Sequence, residues 1–188
     1  MSEWMRTDER EDVLSSLKMF NDSMTKAVYE EAYWKWSVIS LHSSLQSLMA
    51  FHLGFGNDLL VMRQEDAEAW LEAHENETDY PEVKMDGFLN LYKKIKKHEI
   101  LGYKFSPQGQ EGKSVKRINT LRNEFIHFMP KGWSIEVAYM IEVFTDCLNV
   151  IERLGSELAM RWEDEEQKNI FEGLVKDAKG KASAKKNH

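Results

Sequence analysis

The feature that most constrains the fold is a long uncharged segment, from Trp36 to Asn57, that contains no Asp, Glu, Lys or Arg. A segment of this length could cross a bilayer, since a transmembrane helix needs about 20 apolar residues. Serines, histidines and a glutamine are spread through it, however. A helix packed among other helices tolerates such groups because each hydroxyl can bond to its own backbone, whereas a lipid-exposed helix does not. We therefore expect a buried central helix and no membrane span.

Turn-forming residues are scarce, with three prolines and ten glycines in 188 residues. Few turns imply a few long elements, and apolar residues at steps of three and four indicate that these elements are helices. The first such stripe consists of Val13, Leu17, Phe20 and Met24. We find no convincing strand. The sequence therefore predicts an all-α fold, an antiparallel bundle of about five to seven helices.

Several helix ends can be predicted from capping residues and prolines. Asp8 is placed to cap the first helix, and the central helix is expected from about Thr25 to Leu53. Ser114 is the expected N-cap of a helix that stops before Pro130. The last helix is expected over roughly residues 161–175.

Chain length and composition indicate one folded domain over residues 1–176, followed by a basic tail at 177–188 that we expect to be disordered. Cys147 is the only cysteine, which indicates a reducing compartment and a cytoplasmic location. The net charge of −7 argues against a protein that coats nucleic acid by charge alone.

Common catalytic signatures are weak or absent. The segment GQEGKS precedes a predicted helix as a phosphate-binding loop would, but Pro107 stands where that fingerprint requires its first glycine. The histidines show no metal-ligand spacing, so we expect no metal and no cofactor, and His42 and His52 are expected to be core histidines. Cys147 falls in an apolar helical stripe, where a thiol is usually inert.

The strongest candidate site lies in the segment LRNEFIHFMPKGWS. On a helical wheel the apolar residues of this helix fall in one sector about 80° wide, which predicts its core face. That face consists of Ile118, Leu121, Phe125 and Phe128. The opposite face consists of Lys116, Asn119, Thr120, Asn123 and His127. These side chains form hydrogen bonds but carry little charge, unlike an ordinary solvent face. Ile126 lies beside them, which suggests a second contact such as a partner subunit.

The chemistry of this face suits metal-free cleavage of a phosphodiester. Asn123 and His127 are four residues apart and share one side of the helix. Arg122 lies roughly 140° around the axis from His127, but its side chain is long enough for the guanidinium to reach the side of the helix that carries His127. The histidine could take the proton of a ribose 2′-hydroxyl or deliver one to the leaving oxygen, while the arginine pairs with the phosphate. A dimer that brings together two copies of Arg122, Asn123 and His127 would form a more complete active site.

The sequence RNEFIH, near the end of a helix in a small all-α chain, resembles the HEPN superfamily (higher eukaryote and prokaryote nucleotide-binding domains). The hallmark of that family is an arginine and a histidine separated by four to six residues, commonly with Asn, Asp or His directly after the arginine. The resemblance implies a helical bundle over most of the chain and a homodimer that places two motifs side by side. It also implies metal-independent endoribonuclease activity in the active branches, often in a toxin or a phage-defence effector.

On this basis we expect His127 to be the general acid/base, Arg122 the ligand of the phosphate, and Asn123 the group that orients the histidine or substrate. Lys116, Asn119 and Lys131 are expected to contact an RNA substrate. The expected partners are a second copy, RNA, and an antitoxin or other protein. Two alternatives stay open: an inactive HEPN-like bundle that binds a nucleotide, RNA or a partner protein, and an ordinary helix end without a site.

Overall fold

The computed structural model describes residues 4–5, 7–127, 132–157 and 162–186. Within these ranges the chain forms seven α-helices and no strand, with two isolated β-bridges. The helices are α1 (Glu9–Lys26), α2 (Tyr33–Leu53), α3 (Gln64–Glu75), α4 (Phe88–Lys97), α5 (Glu111–His127), α6 (Val137–Glu157) and α7 (Glu165–Lys186). The predicted all-α class and number of helices are therefore confirmed.

The chain divides into two compact units. The first unit consists of Met1–Leu48 and Pro107–His188, and it contains α1, α5, α6, α7 and most of α2. The second unit is Met49–Ser106, with α3 and α4. The candidate site residues that the structure describes all belong to the first unit.

The core of the first unit is built where α5 packs against α6, α6 against α7, and α1 against α7. The predicted apolar stripe of α1 is buried. Its Phe20 meets Phe144 of α6 edge to face at 5.3 Å between ring centroids, and Trp34 of α2 stacks on the same ring at 6.4 Å. Each fully buried side chain of this kind contributes about 1.5–3 kcal/mol to stability.

Helix α2 is the buried central helix expected from the uncharged segment. Two of its serines are satisfied within the helix, because the hydroxyls of Ser37 and Ser40 donate to the carbonyls of Tyr33 and Trp36 at 3.1 and 2.6 Å. The Ser44 hydroxyl donates to the carbonyl of Val13 on α1 at 3.3 Å. In the part of the chain that the structure describes, no helix combines the length and apolarity needed to cross a membrane.

The helix starts differ from the sequence predictions in two places. The Asp8 cap is confirmed, since its Oδ1 accepts the Glu11 N–H at 2.8 Å. Helix α2, however, begins at Tyr33 because turns follow the end of α1. Ser114 is not an N-cap: α5 already begins at Glu111, and the buried Ser114 hydroxyl donates to Asp146 of α6 at 2.5 Å.

Helix α7 continues beyond its predicted end near residue 175 as far as Lys186, so the basic segment expected to be disordered is helical over residues 177–186. Ala178 and Ala182, four residues apart, are buried. Lys181 donates to the carbonyl of Asn21 on α1 at 3.1 Å and to Asp177 one turn earlier. Burial of the small residues and anchoring by the lysine hold this segment in the helix.

Candidate functional site

The candidate site is carried by the last two turns of α5. Arg122 and Asn123 are joined there, since Nη1 of the arginine donates to Oδ1 of the asparagine at 3.1 Å. Arg122 is half-buried, whereas Asn123 and His127 are exposed, and His127 is the final residue of the helix. No hydrogen bond joins His127 to Arg122, although the structure describes both side chains. The structure thus brings two of the three expected catalytic residues into contact and places the third one turn further along.

Asn119 occupies a different environment from the one that the helical wheel predicts. It is half-buried, and its Oδ1 lies 3.2 Å from Nε2 of His42 on α2. His42 is only 4% exposed, so the prediction that it is a core histidine is confirmed. Asn119 therefore contributes to the α2–α5 packing, although it was expected on the open face of α5.

The pKa of His42 is influenced both by its buried partner Asn119 and by Arg122 of the candidate site. Burial lowers the pKa of His42 to about 4; the hydrogen bond to Asn119 opposes this shift, and the positive charge of Arg122 adds to it. The ring is therefore neutral at pH 7, and its Nε2 donates to Asn119. The neutral, buried imidazole of His42 contacts α5 through Asn119 and does not compete with Arg122 for an anion.

The structure describes one of the two lysines that were expected to contact the substrate. Lys116 is exposed on α5, and its backbone carbonyl accepts the Thr120 hydroxyl at 3.2 Å. It lies six residues before Arg122, hence roughly 9 Å along the helix axis. Lys131 lies outside the described residues, as does Phe128, which was expected in the core.

The start of α5 is fixed to α6 by a polar cluster that the sequence did not indicate. Glu111 is buried and forms an ion pair with Arg153 of α6, and its carboxylate also accepts the Gln108 N–H at 2.6 Å. Gly112 and Lys113, which suggested a phosphate loop, lie inside the first turn of the helix. The cluster orients α5 and thereby its exposed far end.

Two apolar features flank the site. Ile126 is 40% exposed, as expected from its place on the wheel. Phe125, predicted to be core, is half-buried and lies 4.8 Å from Trp133 between ring centroids. Trp133 was not identified from the sequence, although an aromatic residue three positions after Pro130 could have indicated it.

Other chemistries find little support among the described residues. No group of three His, Cys, Asp or Glu side chains there is arranged to hold a metal ion. Cys147 is fully buried on α6, and burial raises the pKa of its thiol far above the usual range, with Asp146 and Glu111 adding to the shift. A thiol in that state is a poor nucleophile.

Comparisons of the chain with protein-family models, with curated proteins and with solved structures found no match.

Proposed function

We propose that this chain is a metal-independent endoribonuclease of the HEPN type that acts as a homodimer. The observation that carries the proposal is the exposed end of α5, where Arg122 and Asn123 hydrogen-bond each other and His127 is open to solvent one turn later. A cation, an amide and an imidazole on one helix end are the groups needed for acid–base chemistry on a phosphodiester.

Arg122 is assigned to the phosphate. A guanidinium has five N–H donors in a planar fork that matches phosphate oxygens, and Nη1 is oriented by Asn123. The positive charge stabilises the negative charge that develops on the phosphate oxygens in the transition state. Asn123 therefore positions the arginine, and it is near enough to His127 along the helix to bind the same substrate.

His127 is assigned to proton transfer. The ribose 2′-hydroxyl gives its proton to an imidazole, and the 2′-oxygen attacks phosphorus. The bond from phosphorus to the 5′-oxygen then breaks, and that oxygen takes a proton from an imidazolium. The products are a 2′,3′-cyclic phosphate and a 5′-hydroxyl, and atoms and charge balance without any further reactant.

The two proton transfers call for two imidazoles, whereas one chain supplies one motif. A second copy supplies the other His127 in this proposal, and the exposed Ile126 is assigned to the contact between the copies. The substrate is single-stranded or loop RNA, because a flexible strand can bring its 2′-hydroxyl into line with the scissile bond. We assign the activity to a toxin or phage-defence effector, restrained by an antitoxin-like protein.

The decisive measurement is cleavage of an RNA oligonucleotide by the purified full chain in excess EDTA. We expect products that end in 2′,3′-cyclic phosphate, and no cleavage of DNA of the same sequence. His127→Ala should lower the rate by roughly a hundredfold or more, the usual contribution of a general acid/base. His74→Ala, which removes an exposed histidine of α3, is the matched control and should cleave like the wild type.

Equal rates for His127→Ala and the wild type would contradict the assignment. Arg122→Lys separates charge from geometry: it retains a cation but loses the planar fork, so we expect a slower reaction at unchanged fold stability. RNA that is bound but never cut by the wild-type chain would support the inactive HEPN-like bundle.

A further inference from the structure

A groove of about 340 Å³ opens beside the end of α5. Its lining includes Glu31, Trp34, Phe125 and Trp133. Its volume is at the lower end of the range for small-molecule sites, roughly 300–1,000 Å³. Three of the lining side chains are aromatic, and all of them belong to the first unit. The groove therefore suits a small flat ligand.

The aromatic walls of the groove are held in place by the fold. Trp34 is buried and fixed by Phe144, on which it stacks, and by the Lys185 ammonium, 5.8 Å from its ring centroid. Trp133 is 36% exposed and tilted by 55° against Phe125. A buried ring at the base and a partly exposed ring at the side leave an aromatic surface on which a ligand can stack.

Polar groups of the groove select among flat ligands. Glu31 lines the groove just before α2; its backbone carbonyl accepts the Trp34 N–H at 3.0 Å, and its side chain is exposed. An ionised carboxylate only accepts hydrogen bonds, so it prefers a ligand edge with two neighbouring N–H donors. Among RNA bases, guanine offers such an edge through its ring N–H and its amino group.

We infer that this groove binds a guanine base of the single-stranded RNA, stacked against Trp133 and paired with the Glu31 carboxylate. The inference rests on the proposed function, for which it names a specificity subsite. Arg122 lies only about 60° around α5 and about 4.5 Å along its axis from Phe125, so a strand can place a phosphate near Arg122 and a base in the groove. Sequence-specific recognition of RNA commonly uses unstacked bases held in this way.

The test is binding of the four ribonucleoside monophosphates to the full chain, measured by titration calorimetry. We expect guanosine monophosphate to bind most tightly. Trp133→Ala should weaken its binding roughly 5- to 100-fold, as loss of one stacking partner does. Glu31→Gln should remove the preference for guanine over adenine. Trp36→Ala, which removes an exposed tryptophan of α2 outside the groove, should bind like the wild type.

Circular dichroism and melting temperature of each variant establish that it is folded, and Glu31→Gln changes only an exposed side chain. Equal binding of all four nucleotides, or unchanged guanosine binding in both Trp133→Ala and Glu31→Gln, overturns the inference. His127→Ala keeps the two proposals separate, because it should bind guanosine monophosphate normally and cleave RNA at least roughly a hundredfold more slowly than the wild type. Cleavage without base preference would overturn the subsite alone, and guanosine binding without cleavage would overturn the nuclease alone.

Discussion

Nε2 of His42 and Oδ1 of Asn119 lie 3.2 Å apart, and this bond joins the central helix to the helix that carries the candidate site. Both partners are shielded from water, His42 almost completely. A buried polar pair costs little while it is intact but leaves an unsatisfied group when one member is removed. The pair therefore holds α5 in one orientation relative to α2.

Asn119→Ala should destabilise the protein by about 1–3 kcal/mol, because the buried imidazole loses this partner. Urea unfolding followed by circular dichroism measures the change in free energy. Asn123→Ala is the matched control: it removes the same side chain one turn later on the exposed face of α5. We expect it to change stability by less than about 0.5 kcal/mol. Equal losses in the two variants would show that the bond to His42 is not a stabilising contact.

His42 should make stability depend on pH between about 4 and 6.5. Its folded pKa, about 4, lies below the ordinary value of 6.5, so the unfolded chain binds a proton in this window that the folded chain does not. The contribution of neutral His42 to the free energy of unfolding is complete above pH 6.5 and is lost as the pH falls towards 4. We expect a loss of about 2 kcal/mol between pH 7 and pH 5 from this residue alone.

Carboxylates also titrate on the acid side: burial alone would raise the pKa values of Asp8 and Asp86, but their hydrogen bonds and paired cations outweigh burial and lower both values. A double variant, His42→Leu with Asn119→Leu, removes the buried imidazole and its partner together while leaving those carboxylates in place. From pH 7 to pH 5 the double variant should lose about 2 kcal/mol less of its free energy of unfolding than the wild type loses. Parallel curves would mean that His42 takes up its proton over the same pH range in the folded protein as in the unfolded chain.

The helical wheel predicted both faces of α5 except at Phe125 and Asn119, which are half-buried; the other described residues of the polar face are exposed. Ile118 and Leu121 are buried and Ile126 is exposed, as the periodicity indicated. Asn119 was expected on the open face because its angle on the wheel lies far from the core residues. The sequence cannot show that a second helix presents a buried histidine to it, since the two residues are 77 positions apart. Polar contacts between helices are pairings in space that leave no local pattern.

The end of α7 illustrates a different limit. Its lysines and small residues indicated a disordered tail by composition. The relevant signal was spacing: Ala178 and Ala182 continue the buried side of the helix, and Lys185 reaches Trp34 of α2. Small side chains permit close packing of a helix, which a hydrophobicity pattern based on large residues overlooks.

Arg153→Met should destabilise the protein by about 3 kcal/mol. The change removes the cation paired with the buried Glu111 carboxylate at the start of α5, and a buried charge without its partner is costly. Lys179→Met is the control, since it breaks the more exposed pair with Glu152 and should cost at most about 1 kcal/mol. Chemical unfolding at pH 7 compares the two variants. A loss no greater for Arg153→Met than for Lys179→Met would contradict the structural role of the cluster.

Gly155→Ala should destabilise the protein by about 1–3 kcal/mol, although alanine is the better helix former. A methyl group at this position of α6 would overlap the ring of Phe171, which is buried and packed against Trp162. The helices would have to separate or the ring would have to leave its rotamer. Gly173→Ala is the matched control in α7, where an added methyl meets nothing within 4 Å and should stabilise by about 0.5–1 kcal/mol. Thermal unfolding of both variants measures the two shifts, and a rise in melting temperature for Gly155→Ala would show that α6 and α7 are less closely packed than this contact requires.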